Sequence, residues 1–211
     1  MNPRLKICGL TTREAVEAAA GADYLGFIFY APSPRNISPK QAADLAQNIN
    51  PAISAVAVTV DADDDFLRAM LVDFQPGYIQ LHGSESPERV QTIREIFKMP
   101  VIKALQIRTQ QDVEQAHTYE AVADMLLFDA KATEGLPGGN GLAFDWQMLA
   151  GKTFKKPWFL SGGLNIDNVE EALRISGALA VDVSSSLEAA RGVKDPERVR
   201  GFIQKVKNLP L

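Results

Sequence analysis

Three observations predict an α/β fold, a single (β/α)8 TIM barrel over residues 1–211. Strand-like and helix-like segments alternate regularly, there are eight such units, and the strands are near-continuous apolar runs. Unbroken apolar strands are what a parallel sheet covered by helices requires. A doubly wound open sheet competes with the barrel. The first β/α turn lacks a G-x-G-x-x-G, however, and eight units in 211 residues suit a compact barrel.

The first strand is Lys6–Cys8. Gly9 turns the chain, and Thr12 caps a helix over about 13–20. Tyr24–Phe29 is the second strand, followed by a proline-rich loop and a helix from about Ser38 to Gln47. The β-branched run Ser54–Val60 is the third, with its helix over Asp63–Asp73. Tyr78–Leu81 and Pro87–Phe97 form the fourth unit, and Val101–Leu105 with a Thr109-capped helix to about Tyr119 the fifth. Asp124–Phe128 is the sixth strand; its loop runs to about Gly141, with a short helix near Phe144–Leu149. Trp158–Leu160 is the seventh, with a helix starting at about Asn165. Leu179–Val183 is the eighth, and Pro196 opens the last helix.

Composition is that of an ordinary globular chain, 46% hydrophobic and 23% charged. One cysteine excludes an internal disulfide framework and suits a reducing cytosol, so a cytoplasmic location is expected. The N-terminal residues have no apolar stretch behind their basic residues, and no run approaches a membrane span, so neither export nor a membrane partner is expected. A net charge of −4 argues against a nucleic-acid surface. With two histidines far apart in sequence, no metal site is expected.

In a barrel the residues just after each strand build the functional face. Here these are Cys8, Arg35 in the second loop, His82-Gly83, Asp129, Gly162-Gly163 and Ser184-Ser185-Ser186. The opposite strand ends open with residues such as Pro100 and Pro157. A free cysteine is usually a small buried hydrophobe; at the tip of the first strand it points into the reaction zone. Desolvation at the barrel mouth would favour a protonated Asp129, able to act as an acid. Cys8 and Asp129, on strands one and six, face each other as a base and an acid would. Gly162 and Gly163 read as a β/α turn or, with Ser184, Ser185 and Ser186, as a phosphate cradle, because glycine lets backbone N–H groups approach an anion. Arg35 can grip a carboxylate through its planar fork. His82 is either a polar wall of the site or a satisfied barrel histidine. Lys6 shares the inward face with Cys8 but one layer deeper, and no role is assigned to it.

Together, several motifs resemble the phosphoribosylanthranilate isomerase family over essentially the whole chain. They are Lys6-Ile7-Cys8-Gly9-Leu10-Thr11, Gly26-Phe27-Ile28-Phe29, Ser33-Pro34-Arg35, Gln80-Leu81-His82-Gly83, Leu127-Phe128-Asp129, Gly139-Asn140-Gly141 with Phe144-Asp145-Trp146, and Leu160-Ser161-Gly162-Gly163-Leu164. The resemblance implies an Amadori rearrangement of tryptophan biosynthesis. N-(5′-phosphoribosyl)anthranilate becomes 1-(2-carboxyphenylamino)-1-deoxyribulose 5-phosphate, without a cofactor. It implies Cys8 as general base, Asp129 as general acid and Arg35 near the anthranilate ring; Gly141 and Asp182 complete the expected substrate-binding set with His82. The expected partner is a small phosphosugar, and the chain a monomer or a homodimer.

Two departures stand out. The family pattern Ser-Ser-Gly-Val-Glu reads Ser184-Ser185-Ser186-Leu187-Glu188 here, and Ala190-Arg191-Gly192 lacks a commonly neighbouring proline. A serine in place of that glycine would narrow the phosphate cradle or demand a different φ. The alternatives are another phosphosugar barrel isomerase or a non-catalytic barrel holding a phosphorylated ligand. Paired aspartates at the strand ends would favour the first, and loss of Cys8 or Asp129 the second.

Overall fold

The computed structural model describes residues 2–130 and 146–210. Eight parallel strands close a barrel in sequence order: β1 (Arg4–Cys8), β2 (Tyr24–Phe29), β3 (Ser54–Thr59), β4 (Tyr78–Leu81), β5 (Val101–Ile107), β6 (Met125–Ala130), β7 (Trp158–Ser161) and β8 (Ala180–Val183). Closure is made by β8 on β1, with Leu5 opposite Val181, Lys6 opposite Asp182 and Ile7 opposite Val183.

Because side chains alternate across a strand, each strand contributes to two cores. Leu5 and Ile7, Leu25 and Phe27, Ile79 and Leu81, Leu126 and Phe128 face the helices in one cluster. Cys8, Tyr24, Val56, Val58, Ile102, Leu127 and Phe159 belong to the second, inside the barrel. Edge-to-face contacts of Tyr24 with Tyr78 (5.8 Å) and Phe159 (5.1 Å) pack the floor, as aromatic quadrupoles prefer. The same parity aims Lys6, Gln80, Asp129, Ser161 and Asp182 inward, above that floor.

The helices are α1 (Arg13–Ala18), α2 (Pro39–Ala46), α3 (Asp64–Asp73), α4 (Pro87–Phe97), α5 (Gln110–Gln115), α6 (Val169–Ser176) and α7 (Pro196–Lys207). Their starts follow local chemistry. Thr12 accepts from the Ala15 N–H, Ser38 and Gln41 form a capping box, Ser86 caps α4, and Asp195 caps α7 ahead of Pro196. No helix among the described residues is long and apolar enough to cross a membrane.

The structure differs from the sequence expectation in five places. The Thr109-capped segment is α-helical only to Gln115 and then tightens into a 3-10 turn over Ala116–Tyr119. The helix after β7, α6, starts at Val169 rather than Asn165, because Asn165 and Asn168 spend their side chains on local backbone N–H groups in an Asx turn. Strands β5 and β6 run on to Ile107 and Ala130, pairing Gln106 with Asp129, so Asp129 lies within β6 rather than beyond it. An antiparallel hairpin, β9 (Glu188–Ala190) and β10 (Val193–Lys194), stands unforeseen between β8 and α7. The short helix expected from Phe144 appears as a 3-10 turn over Trp146–Leu149; Phe144 and Asp145 lie outside the described residues.

Candidate active site

The C-terminal ends of the strands surround a cavity of about 390 Å³, within the range of small-molecule sites. Cys8, Arg35, His82, Asp129, Gly162, Gly163, Asp182, Ser184 and Ser185 all line it. Ser186 does not line it, and Gly141 lies outside the described residues. A second cavity opens at the opposite end of the barrel among Tyr24, Tyr78, Trp158 and Lys156, away from every candidate acid or base.

Cys8 is buried at the tip of β1, directly opposite Gly26 in the register. A Cβ at Gly26 would stand 2.9 Å from the Cys8 Sγ and 3.2 Å from the Lys6 Nζ, so the absent side chain is what lets thiol and ammonium share this space. Lys6 is fully buried and ion-paired with Asp182 at 2.9 Å. Asp182 also accepts from the Ser161 hydroxyl at 3.3 Å. The depth argument that set Lys6 aside therefore fails: its long stem rises from the lower layer to the thiol. Burial works against the Lys6 ammonium, yet Asp182 and Cys8 outweigh it and hold its pKa above the ordinary value. Burial pushes the Cys8 thiol up, Asp182 adds to the rise, and Lys6 and Lys194 pull the other way.

On the far wall, His82 follows β4 and Asp129 sits in β6. The Nε2 of His82 is 3.2 Å from the Asp129 Oδ2, and its Nδ1 is 2.9 Å from the Gln80 amide nitrogen. A buried network fixes the loop carrying His82. The Lys103 ammonium donates to Glu85 at 2.8 Å and to the Gly83 carbonyl at 2.8 Å, while Glu85 accepts from the Asp61 and Gly83 N–H groups.

The hairpin supplies residues that strand-end reasoning does not reach. Glu188 takes the Nε and Nη2 edge of the Arg35 guanidinium at 2.5 and 2.8 Å and accepts from Lys194 at 2.8 Å. Burial alone would raise the Glu188 carboxyl; Arg35, Lys194 and the Gly192 N–H overcome this and bring its pKa to about 2. With one edge of the fork occupied, only its other edge can meet a carboxylate in the cavity. Gly192, at φ +85°, lets the hairpin turn lie on the Pro34 carbonyl, where a Cβ would come within 2.7 Å. Lys194 also approaches the Ser184 hydroxyl, which donates to the Cys8 carbonyl at 2.9 Å. The identities of Glu188 and Lys194 were open in the sequence. The hairpin that brings them in carries only a weak signal, Gly192 inside a short polar stretch.

Gly162 and Gly163 have φ of +91° and +67°, conformations that glycine alone adopts without strain. Ser184 and Ser185 stand beside them at the cavity wall. Ser186 has no positive φ, and its hydroxyl donates to the Leu164 carbonyl at 2.6 Å, tying the loop after β8 to the loop after β7. The anticipated demand on φ is absent, and the added side chain serves as a brace between the loops. Among the described residues no group of three or more His, Cys, Asp or Glu side chains could hold a metal ion.

The profile of the N-(5′-phosphoribosyl)anthranilate isomerase family matches residues 5–205. Proteins of that name from Paramagnetospirillum magneticum and Rhodospirillum rubrum are 46% and 48% identical over 211 residues, covering 98% and 96% of this chain and 98% and 97% of their own lengths. Among solved structures, phosphoribosylanthranilate isomerase from Thermotoga maritima superposes with a TM-score of 0.87 at 35% identity, covering 98% of this chain and all of that one. A phosphoribosylanthranilate isomerase in complex with reduced 1-(o-carboxyphenylamino)-1-deoxyribulose 5-phosphate gives a TM-score of 0.82 at 32% identity, with the same coverage. A profile match over nearly the whole chain, near-50% identity at full length and a closed barrel with polar strand ends converge on one statement: this chain belongs to the N-(5′-phosphoribosyl)anthranilate isomerase family.

Proposed function

We propose that this chain isomerises N-(5′-phosphoribosyl)anthranilate to 1-(2-carboxyphenylamino)-1-deoxyribulose 5-phosphate, a step of tryptophan biosynthesis, by general acid–base catalysis. The observation that carries the mechanism is the shared cavity: Cys8 and Asp129 line it from β1 and β6, with glycines and serines of the loops after β7 and β8 on its wall. Asp129, as the acid, protonates the furanose ring oxygen, and the ring opens to a Schiff base. The C2′ proton is then acidic. Cys8, as thiolate, removes it to give an enolamine, which tautomerises to the ketone. Burial and Asp182 hold the Cys8 thiol above its ordinary value, and Lys6 and Lys194 oppose that rise and so favour the thiolate. Backbone donors around Gly162, Gly163, Ser184 and Ser185 hold the phosphate, and the free edge of Arg35 meets the anthranilate carboxylate. These steps comprise proton transfers and one bond cleavage, the C1′–O ring bond, whose breaking the anilino nitrogen lone pair drives and whose oxygen leaves as a hydroxyl. The phosphosugar is the small-molecule partner. A second copy of the chain is a further partner with precedent, since the Thermotoga maritima relative is described as dimeric.

The test is loss of substrate fluorescence with freshly generated phosphoribosylanthranilate. Wild type is expected to turn over, and Cys8→Ala and Asp129→Asn each to lose about 10²- to 10⁴-fold in kcat, the usual worth of a positioned acid or base. An inert wild type, beside an active control isomerase, overturns the assignment.

A further inference from the structure

Gln80, fully buried on the inward face of β4, has a role beyond filling the barrel. Its amide nitrogen lies 2.9 Å from the His82 Nδ1, and its carbonyl oxygen is buried with no hydrogen-bond partner among the described residues. An unpaired buried carbonyl opposes folding. A hydrophobic side chain of the same length would avoid that cost, so packing does not explain the amide.

The one partner it has does. An N–H donor on Nδ1 requires that ring nitrogen to carry the lone pair, which places the His82 proton on Nε2. That Nε2 stands 3.2 Å from the Asp129 Oδ2 and so donates to it. With the amide reversed, Nδ1 would hold the proton, and the Nε2 lone pair would face the lone pairs of a carboxylate oxygen. We infer that Gln80 is a positioning residue that sets the His82 tautomer, so that Nε2–H holds Oδ2 of Asp129 and leaves Oδ1 to carry the transferable proton into the cavity. When Oδ1 gives its proton to the substrate, the resulting carboxylate is already hydrogen-bonded and needs no reorganisation. This rests on the acid role proposed for Asp129.

The decisive experiment combines kinetics of Gln80→Met with ¹⁵N NMR of histidine-labelled protein. The chain has two histidines, so His82→Gln assigns the signals. Wild type should show His82 protonated on Nε2, and Gln80→Met a mixture of tautomers. Kinetically, Gln80→Met should lower kcat roughly tenfold, a fraction of an acid's full worth, with KM within about twofold. Its melting temperature should be unchanged or higher, whereas a merely structural glutamine would lower it. A wild-type His82 protonated on Nδ1, or a Gln80→Met enzyme with wild-type kcat beside an inactive Asp129→Asn, overturns the inference and leaves the acid role standing. An Asp129→Asn enzyme at wild-type rate overturns both.

Discussion

Burial and neighbouring charges act on the Cys8 thiol in opposite directions. Burial raises its pKa and Asp182 adds to the rise, while the ammonium groups of Lys6 and Lys194 counter both. Lys6 is thus the residue whose loss should be felt most sharply in the pH profile. Lys6→Met removes the nearer cation and leaves Asp182 unpaired. The part of the kcat/KM profile that follows Cys8 ionisation should move up in pH, and activity at neutral pH should fall about tenfold or more as less of the thiol is ionised. A pH–rate profile beside the Lys6→Met, Asp182→Asn double variant checks this. The double variant should regain stability, since it leaves no unpaired buried charge, while the Lys6 contribution to the thiolate stays lost. Cys8, Asp129, His82 and Arg35 were legible in the sequence because each stands at or just past a strand end. Lys6 was not, because depth along a strand does not reveal how far a lysine's four-carbon stem reaches.

At the scale of elements, pairing register decides which side chains meet. Gly26 lies across from Cys8 only because β1 and β2 pair in the register Lys6–Tyr24, Ile7–Leu25, Cys8–Gly26. Gly26→Ala would set a methyl group 2.9 Å from the thiol sulfur. The variant should fold with β2 intact, lose kcat by about 10²-fold as the thiol is displaced, and keep KM; steady-state kinetics with circular dichroism decide it. Ser186 is an element-scale brace between the loops after β7 and β8. Ser186→Gly removes a hydrogen bond to Leu164 and should cost about 1 kcal/mol of stability, measured by denaturant unfolding. Because Ser186 does not line the cavity, KM should stay within about twofold. Strand and helix existence were readable from apolar period and caps. The hairpin of Glu188–Ala190 and Val193–Lys194 was not, its strands being too short to show a period.

The whole molecule is held at its functional end by charge clusters that join distant stretches of chain. Glu188 binds Arg35 across more than half the sequence and Lys194 across the hairpin turn. Its folded-state pKa of about 2 lies below its ordinary value of 4.5, so it contributes stability that is complete above that value and lost as pH falls from about 4.5 toward 2. Wild type should therefore lose melting temperature steeply through that window. Glu188→Gln should start lower at neutral pH, with two cations left unpaired, and show a flatter decline. Equal slopes for the two proteins would contradict the account. The Lys103–Glu85 pair plays a comparable part beneath His82, so the two walls of the cavity rest on separate buried ion pairs.

By itself the sequence determined the alternation of strands and helices, most of the caps and the strand-end residues, because these depend on local spacing and the chemistry of near neighbours. The tertiary structure alone decided which inward side chains touch: Lys6 with Asp182 through closure of β8 on β1, Gln80 with Asp129 by way of His82, and Arg35 with Glu188. Those pairings follow from barrel closure and loop packing, where residues far apart in the chain meet at distances that no local period encodes.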